Sequence, residues 1–305
     1  MFEEFKLENG LSWTTINIDD LTEQVICDIS EKLDLNQETI DYALDKNERA
    51  HTEYDSDNKS LTLTYNALNK HKDSRYHKTT SPMTFLVRKN QVITFYNQEN
   101  VYIIDLLRSG KYWQSMKTSY QFLFLSLFFI SEAYFPYVEK LDRDKDEINR
   151  NLRDKTTKKG LFALSDIETN IVYLVSAANQ NALVLEQLKG KKFYQCLNEI
   201  EKEQLEDTVI EAQQLSGMTT ITARVLEQLS GTYNNILNNN LNDNMTTLTI
   251  ISILLASLAV ITGFFGMNVP LPMTGNPYAW VIIIGGSVLI WLIYAAVLRY
   301  IIRNR

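Results

Sequence analysis

Cysteine and histidine are scarce in this 305-residue sequence, and over one long stretch charge is missing altogether. The two cysteines, Cys27 and Cys196, stand far apart and provide neither a disulfide framework nor a thiolate cluster for zinc. Their scarcity suits a reducing cytoplasm for the large N-terminal part. His51, His71 and His77 are the only histidines, and His71 and His77 lie among lysines and an arginine. No serine motif, paired-carboxylate signature or glycine-rich phosphate loop accompanies them, so solvated imidazoles are expected rather than an enzyme's active site. The N-terminal MFEEFKLENG is acidic and lacks the basic start and apolar run of a signal peptide.

From Met245 to Leu298 there is no Asp, Glu, Lys or Arg. Setting aside Arg299, Arg303 and Arg305 leaves 27 basic residues against 37 acids, so the region before Met245 carries a net charge of -10. That balance excludes a nucleic-acid binder led by a basic face, and the uncharged stretch excludes a purely soluble protein. Met245 to Phe265 and Trp280 to Leu298 are each near the roughly 20 residues that cross about 30 Å of hydrocarbon, and read as transmembrane helices. Phe122 to Ile130 is too short to span and reads as a buried soluble helix. The arginines after Leu298 predict a cytoplasmic C-terminus, which puts the uncharged connection, Gly266 to Ala279, outside and the first 244 residues inside.

The cytoplasmic part divides into an α/β domain over about 1–110 and a helical stalk over 111–244. Ser12 to Ile18 and Ser60 to Tyr65 alternate as strands do, and Phe85 to Arg88 with Val92 to Tyr96 reads as a hairpin around Lys89-Asn90. Asp19 or Asp20, and Asn36, are helix-start signals. Tyr54 to Asn58 and Asn69 to Thr80 read as loops. After Phe193 no proline appears until Pro270, so one helix could run from about Gln204 to Phe265, on the order of 90 Å. Gly217 and Gly231 count against it, since each costs roughly 1 kcal/mol relative to alanine inside a helix.

On the first membrane helix, steps of three and four give Asn238, Asn242, Met245, Thr249, Ser252, Ala256, Ala259 and Gly263, a face that is small or polar apart from Met245. Ile250, Leu254, Leu258, Ile261 and Phe265 occupy the other side. By itself such a stripe indicates close helix packing ahead of a pore. The crowd of Asn238, Asn239, Asn240, Asn242 and Asn244 at the helix entrance shifts that balance, because asparagines weaken a helix and require water, an ion or a symmetry mate. At the far end stand Gly266-Met267-Asn268 and then Val269-Pro270-Leu271-Pro272.

These residues resemble the CorA family of divalent-cation channels, whose Gly-Met-Asn signature closes the first of two C-terminal membrane helices. The resemblance extends through Leu248 to Asn268, the outer loop with Asn276-Pro277-Tyr278-Ala279-Trp280, and the basic tail; over the first 200 residues it is one of architecture. It implies a homopentamer in the cell membrane, with an α+β cytoplasmic domain, long stalk helices, two transmembrane helices and both termini cytoplasmic. Five first helices would line the pore. Asn268 would form an outer ring holding a hydrated ion, shaped by Gly266 and Met267, while Asn242, Met245 and Leu248 would sit at the inner end. Family pores often carry a larger or polar residue where Ala256 and Ala259 stand, and many relatives have a glutamate in the outer loop, which this sequence lacks.

Magnesium is the expected ion, transported and regulatory, with cobalt or nickel as further cargo. Magnesium sheds its inner water reluctantly, so a ring of neutral amide oxygens suits the hydrated ion. Acidic intersubunit sites sense magnesium in the family, and counting back from Asn242 makes Asp207 the candidate here. Alternatives are a ZntB-like zinc transporter, which would bring an ionisable pore residue that is missing here, and a membrane-tethered scaffold or enzyme.

Overall fold

The computed structural model describes residues 2–6, 10–70, 79–109, 116–190, 192–267, 275 and 277–303. The chain separates into two compact units, 1–230 and 231–305.

The first unit is built on strands β1 (Phe2–Lys6), β2 (Ser12–Asn17), β3 (His51–Asp55), β4 (Ser60–Leu68), β5 (Thr80–Arg88) and β6 (Gln91–Tyr96), in the order β1-β2-β6-β5-β4-β3. All neighbours are antiparallel except β2 with β6, which gives a mixed sheet. The hairpin around Lys89-Asn90 forms as its turn residues predict, with Arg88 opposite Gln91. Tyr54 and Asp55, expected in a loop, instead end β3 opposite Leu61 and Ser60. The turn after them is tight because the Asp55 carboxylate accepts the Asp57 amide at 2.8 Å and the Asn58 amide at 3.2 Å. Those bonds favour the ionised form and hold its pKa below the usual value. Of the polar run Asn69 to Thr80, Thr80 belongs to β5 and residues 71–78, with His71 and His77, lie outside the described residues.

Helices cover both faces of the sheet. Helix α1 (Glu23–Leu33) and helix α2 (Gln37–Leu44) enclose a core of Ile16, Ile29, Ala43, Leu86, Ile93 and Phe95. Asn36 caps α2 as its side-chain oxygen accepts the Thr39 amide at 2.9 Å. The other start signal works differently: Asn17 caps a single 3-10 turn containing Asp19 and Asp20, and α1 begins only after Thr22. After helix α3 (Val101–Ser109), the opposite face receives helix α4 (Ser119–Glu132), in which Phe122, Leu123, Phe124, Leu127 and Ile130 are all buried. Trp13 packs its ring on Phe122 at 4.9 Å and donates Nε1–H to Thr94 Oγ1 at 3.0 Å. The apolar run is thus consumed by the sheet, as expected of a segment too short to span.

Helices α5 (Phe135–Asp154) and α6 (Lys158–Gly190) follow, then one helical turn at Lys192–Gln195. The Asn181 side chain fastens α6 to the sheet by accepting the Asn66 amide at 2.9 Å and donating to the Asn66 carbonyl at 2.8 Å. Helix α7 (Glu199–Phe265) is continuous through Gly217 and Gly231, longer at its N-terminus than the proline-free run suggested. At neither glycine does any atom come within 4 Å of the position a Cβ would take, so close approach inside one chain does not explain them.

The second unit holds the rest of α7 and helix α8 (Ala279–Arg303). In it, the windows that are apolar and uncharged enough to span a membrane have no buried residue, whereas the windows of similar character at α4 and in α6 are 56% and 33% buried. By length and composition both helices are long and apolar enough to cross a membrane.

Candidate ion pathway

The end of α7 presents three kinds of surface. Asn242, Met245, Thr249, Ser252, Ala256, Ala259 and Gly263 are all exposed, with Leu248 exposed at the edge of their stripe; Met245 and Leu248 are each 65% accessible. Ile250, Leu254, Leu258 and Ile261, on the opposite side, are half-buried, whereas Phe265, placed with them from sequence, is exposed. Between these lie two bulky flanks, Ile253, Val260 and Phe264 on one side and Ile251 and Leu255 on the other, all exposed. The flanks were not foreseen from sequence, where only two faces were distinguished. Their signal was present as large apolar residues on either side of the small ones.

The hydroxyls on the stripe have a defined orientation. Thr249 Oγ1 donates to the Met245 carbonyl at 2.8 Å, and Ser252 Oγ donates to the Leu248 carbonyl at 2.9 Å. Each proton is spent inside the helix, which leaves the oxygen lone pairs as acceptors on the exposed face. Such a face can accept from the waters of a hydrated cation. At the entrance Asn238, Asn239, Asn240, Asn242 and Asn244 are exposed and add further amide oxygens.

At the far end α7 stops at Phe265, and the Gly266 amide donates to the Thr262 carbonyl at 2.9 Å. A Cβ at Gly266 would meet that same carbonyl oxygen at 3.2 Å, a tight contact that glycine avoids. Met267 follows, exposed, and Asn268 lies outside the described residues. The carbonyl end of a long helix bears partial negative charge, so this terminus favours a cation without any acid.

Asp207 is exposed on α7 in the first unit, beside a groove of about 200 Å³ lined by Phe124, Leu125, Phe128, Gln204 and Thr208. Among the described residues no three His, Cys, Asp or Glu side chains come together to hold a metal, so Asp207 has no ready-made carboxylate partners within its own chain. Glu211, one turn further along, has its pKa raised by burial and then by the negative charge of Glu132 on α4.

A family model described as CorA-like Mg2+ transporter protein matches residues 8–300. The chain belongs to the CorA-like family. It is 22% identical over 306 residues to the cobalt/magnesium transport protein CorA of Methanocaldococcus jannaschii, covering 98% of this chain and 92% of that protein. The complete structure of the CorA magnesium transporter from the same organism superposes with a TM-score of 0.81 at 22% identity, over 97% of this chain and 93% of that one. The ZntB cytoplasmic domain from Vibrio parahaemolyticus matches with a TM-score of 0.60 at 10% identity, over 76% of this chain and 88% of that one. At these identities the structural likenesses establish a shared fold. The CorA-like family is one of transporters, which agrees with the absence of any catalytic signature in the sequence.

Proposed function

We propose that five copies of this chain form a channel for divalent cations in the cell membrane, with α7 lining the pore and α8 outside it. The observation that carries this is the three-surface pattern on α7. In a ring, the half-buried side meets α8, the two bulky flanks meet neighbouring copies of α7, and the small polar stripe is left to face the axis. Gly217 and Gly231, with open space around them in one chain, suit close contact with another copy.

Magnesium is the proposed cargo, with cobalt or nickel as further substrates, taken up hydrated and driven by the membrane potential. The hydrated ion would pass Asn268 with Gly266 and Met267 at the outer mouth. It would then move along Gly263, Ala259, Ala256, Ser252 and Thr249 and leave past Leu248, Met245 and Asn242. Because no residue between Met245 and Leu298 is acidic, basic or histidine, a proton relay has nothing to run on. This favours passive conduction over the proton-coupled zinc transport considered as the alternative. The arginines at the C-terminus favour a cytoplasmic location for both termini. Cytoplasmic magnesium bridging acidic groups of neighbouring copies, Asp207 among them, would hold the stalk closed.

Flux into liposomes containing the purified chain, measured for magnesium, cobalt, nickel and zinc at fixed potential, tests the assignment. Potential-driven magnesium entry without proton movement is expected. A properly assembled protein that passes no ion, or that requires a proton gradient, overturns it.

A further inference from the structure

The turn between α5 and α6 departs from the acidic character of the first unit. Residues 148–162 carry Arg150, Arg153, Lys155, Lys158 and Lys159 against a single acid, Asp154, in a region whose net charge is -10. All five cations are exposed. Among the described residues none of them forms an ion pair, whereas Arg143 reaches Glu139 and Lys145 reaches Asp142 and Asp146 further up the same helix. Phe162, one turn into α6, is 71% exposed, and its spacing of four and three from Lys158 and Lys159 puts it on their side of the helix.

The tip is a built structure. A Cβ at Gly160 would stand 2.7 Å from a Leu152 methyl, so glycine allows α6 to leave close against α5. Leu152 is buried there, Thr157 caps α6 by accepting the Gly160 amide at 3.1 Å, and Thr156 Oγ1 donates to the Leu152 carbonyl at 3.3 Å. Two lysines in the first turn of α6 oppose the positive end of the helix dipole, a local cost with no acid in that turn to offset it. Within the first unit α6 runs antiparallel to α7, joined by Gln213 to Glu186 and by Ser216 to Asn179. The tip therefore belongs to the Ser230 end of that unit, where the sequence goes on toward the uncharged segment.

We propose that this basic tip, with Phe162 as its apolar anchor, binds the anionic headgroups of a lipid bilayer. A hairpin bearing five exposed cations and an exposed aromatic matches a soft, negatively charged plane. The inference rests on the reading of the second unit as membrane-spanning, which supplies the bilayer. It goes beyond that reading because it gives a soluble element its own lipid contact.

The test uses the full chain with Cys27→Ser and Cys196→Ser, an environment-sensitive fluorophore on Asn151→Cys, and nanodiscs of phosphatidylcholine alone or mixed equally with phosphatidylserine. In the mixed discs the emission shifts to the blue and spin-labelled lipid quenches it; in neutral discs neither occurs. Sodium chloride at about 0.5 M, where the screening length is only about 4 Å, reverses the shift. Each of Lys155→Gln, Lys158→Gln and Lys159→Gln weakens the contact about fivefold, and Phe162→Ala weakens it further without altering assembly. A tip that emits alike in both discs, while the protein is inserted, overturns the proposal and leaves the membrane assignment standing. A blue shift in lipid-free detergent that grows with protein concentration would assign the tip to a protein partner instead. Failure to enter the discs would overturn the membrane assignment itself.

Discussion

Helix α4 and the last third of α7 are both apolar, yet they serve opposite ends. In α4 the side chains of Phe122, Leu123, Phe124, Leu127 and Ile130 vanish into the sheet and its neighbours, while on α7 Ile251, Leu255, Val260 and Phe264 remain exposed. The composition of the two is close; their length and flanks are not. Charged residues follow α4 within a turn or two and it finds its cover in the same chain, whereas α7 runs uncharged from Met245 to its end and, on the proposed reading, would find cover in lipid and other copies. The lesson is that apolar content predicts burial, and the distance between charges predicts what does the burying.

The strongest way to break this contrast is at the mouth of the proposed pore. Asn268→Ala is expected to abolish cation uptake while leaving the oligomer intact, since it removes the polar side chain that, on the proposed reading, would hold the water shell of the ion. Flux at the wild-type level from a properly assembled variant would remove Asn268 from the filter. Next in size is a paired measurement of stability. Phe124→Ala, in the fully covered helix, should cost about 3–5 kcal/mol in unfolding, because it removes buried contacts and leaves a cavity. Val260→Ala, exposed in the single chain, should cost less than about 1 kcal/mol if it faces lipid, and more if it packs on another copy.

The contrast between the two sides of α7 is sharpened by cysteine accessibility. Cysteines at Asn242, Thr249, Ser252 and Ala256 should react with water-soluble thiol reagents in the open state, whereas those at Ile250, Leu254 and Leu258 should not. Equal labelling of both sets would mean that the stripe is a packing seam. A smaller effect is expected in the first unit: millimolar magnesium should raise the melting temperature and protease resistance beyond sodium chloride of matched ionic strength. Asp207→Lys should blunt the difference. Should magnesium protect no better than sodium, the acidic runs are solvated surface.

Much of this was legible in the sequence where one chemical demand dominates. The uncharged segments, the hairpin at Lys89-Asn90, the Asn36 cap and the burial of Phe122 to Ile130 each follow from a single local rule. Where two rules compete the sequence misleads. Gly217 and Gly231 argued against a continuous α7, yet the helix runs through both. Tyr54 and Asp55 looked like loop because they are followed by polar residues, but β4 offered them backbone partners. At the candidate site the stripe and most of the half-buried side were readable from spacing and the bulky flanks were present there but not distinguished, while the hydroxyl bonds of Thr249 and Ser252 show only in the structure.

The smallest predicted effect compares Glu211 with the freely solvated acids around it. Burial raises its pKa above the ordinary 4.5, and the charge of Glu132 raises it further. A carboxyl whose folded pKa lies above its unfolded value binds its proton more tightly when folded, so its contribution to stability is complete below the unfolded pKa and declines as pH rises through the folded one. At pH 7 the group is ionised at a cost, and a neutral amide of the same shape avoids it. Glu211→Gln should therefore raise the melting temperature slightly at pH 7, with the advantage shrinking as the pH is lowered and the native carboxyl takes up its proton. A gain at Glu211 that stays constant with pH would mean that the amide helps by packing, and the raised pKa would lose its structural consequence.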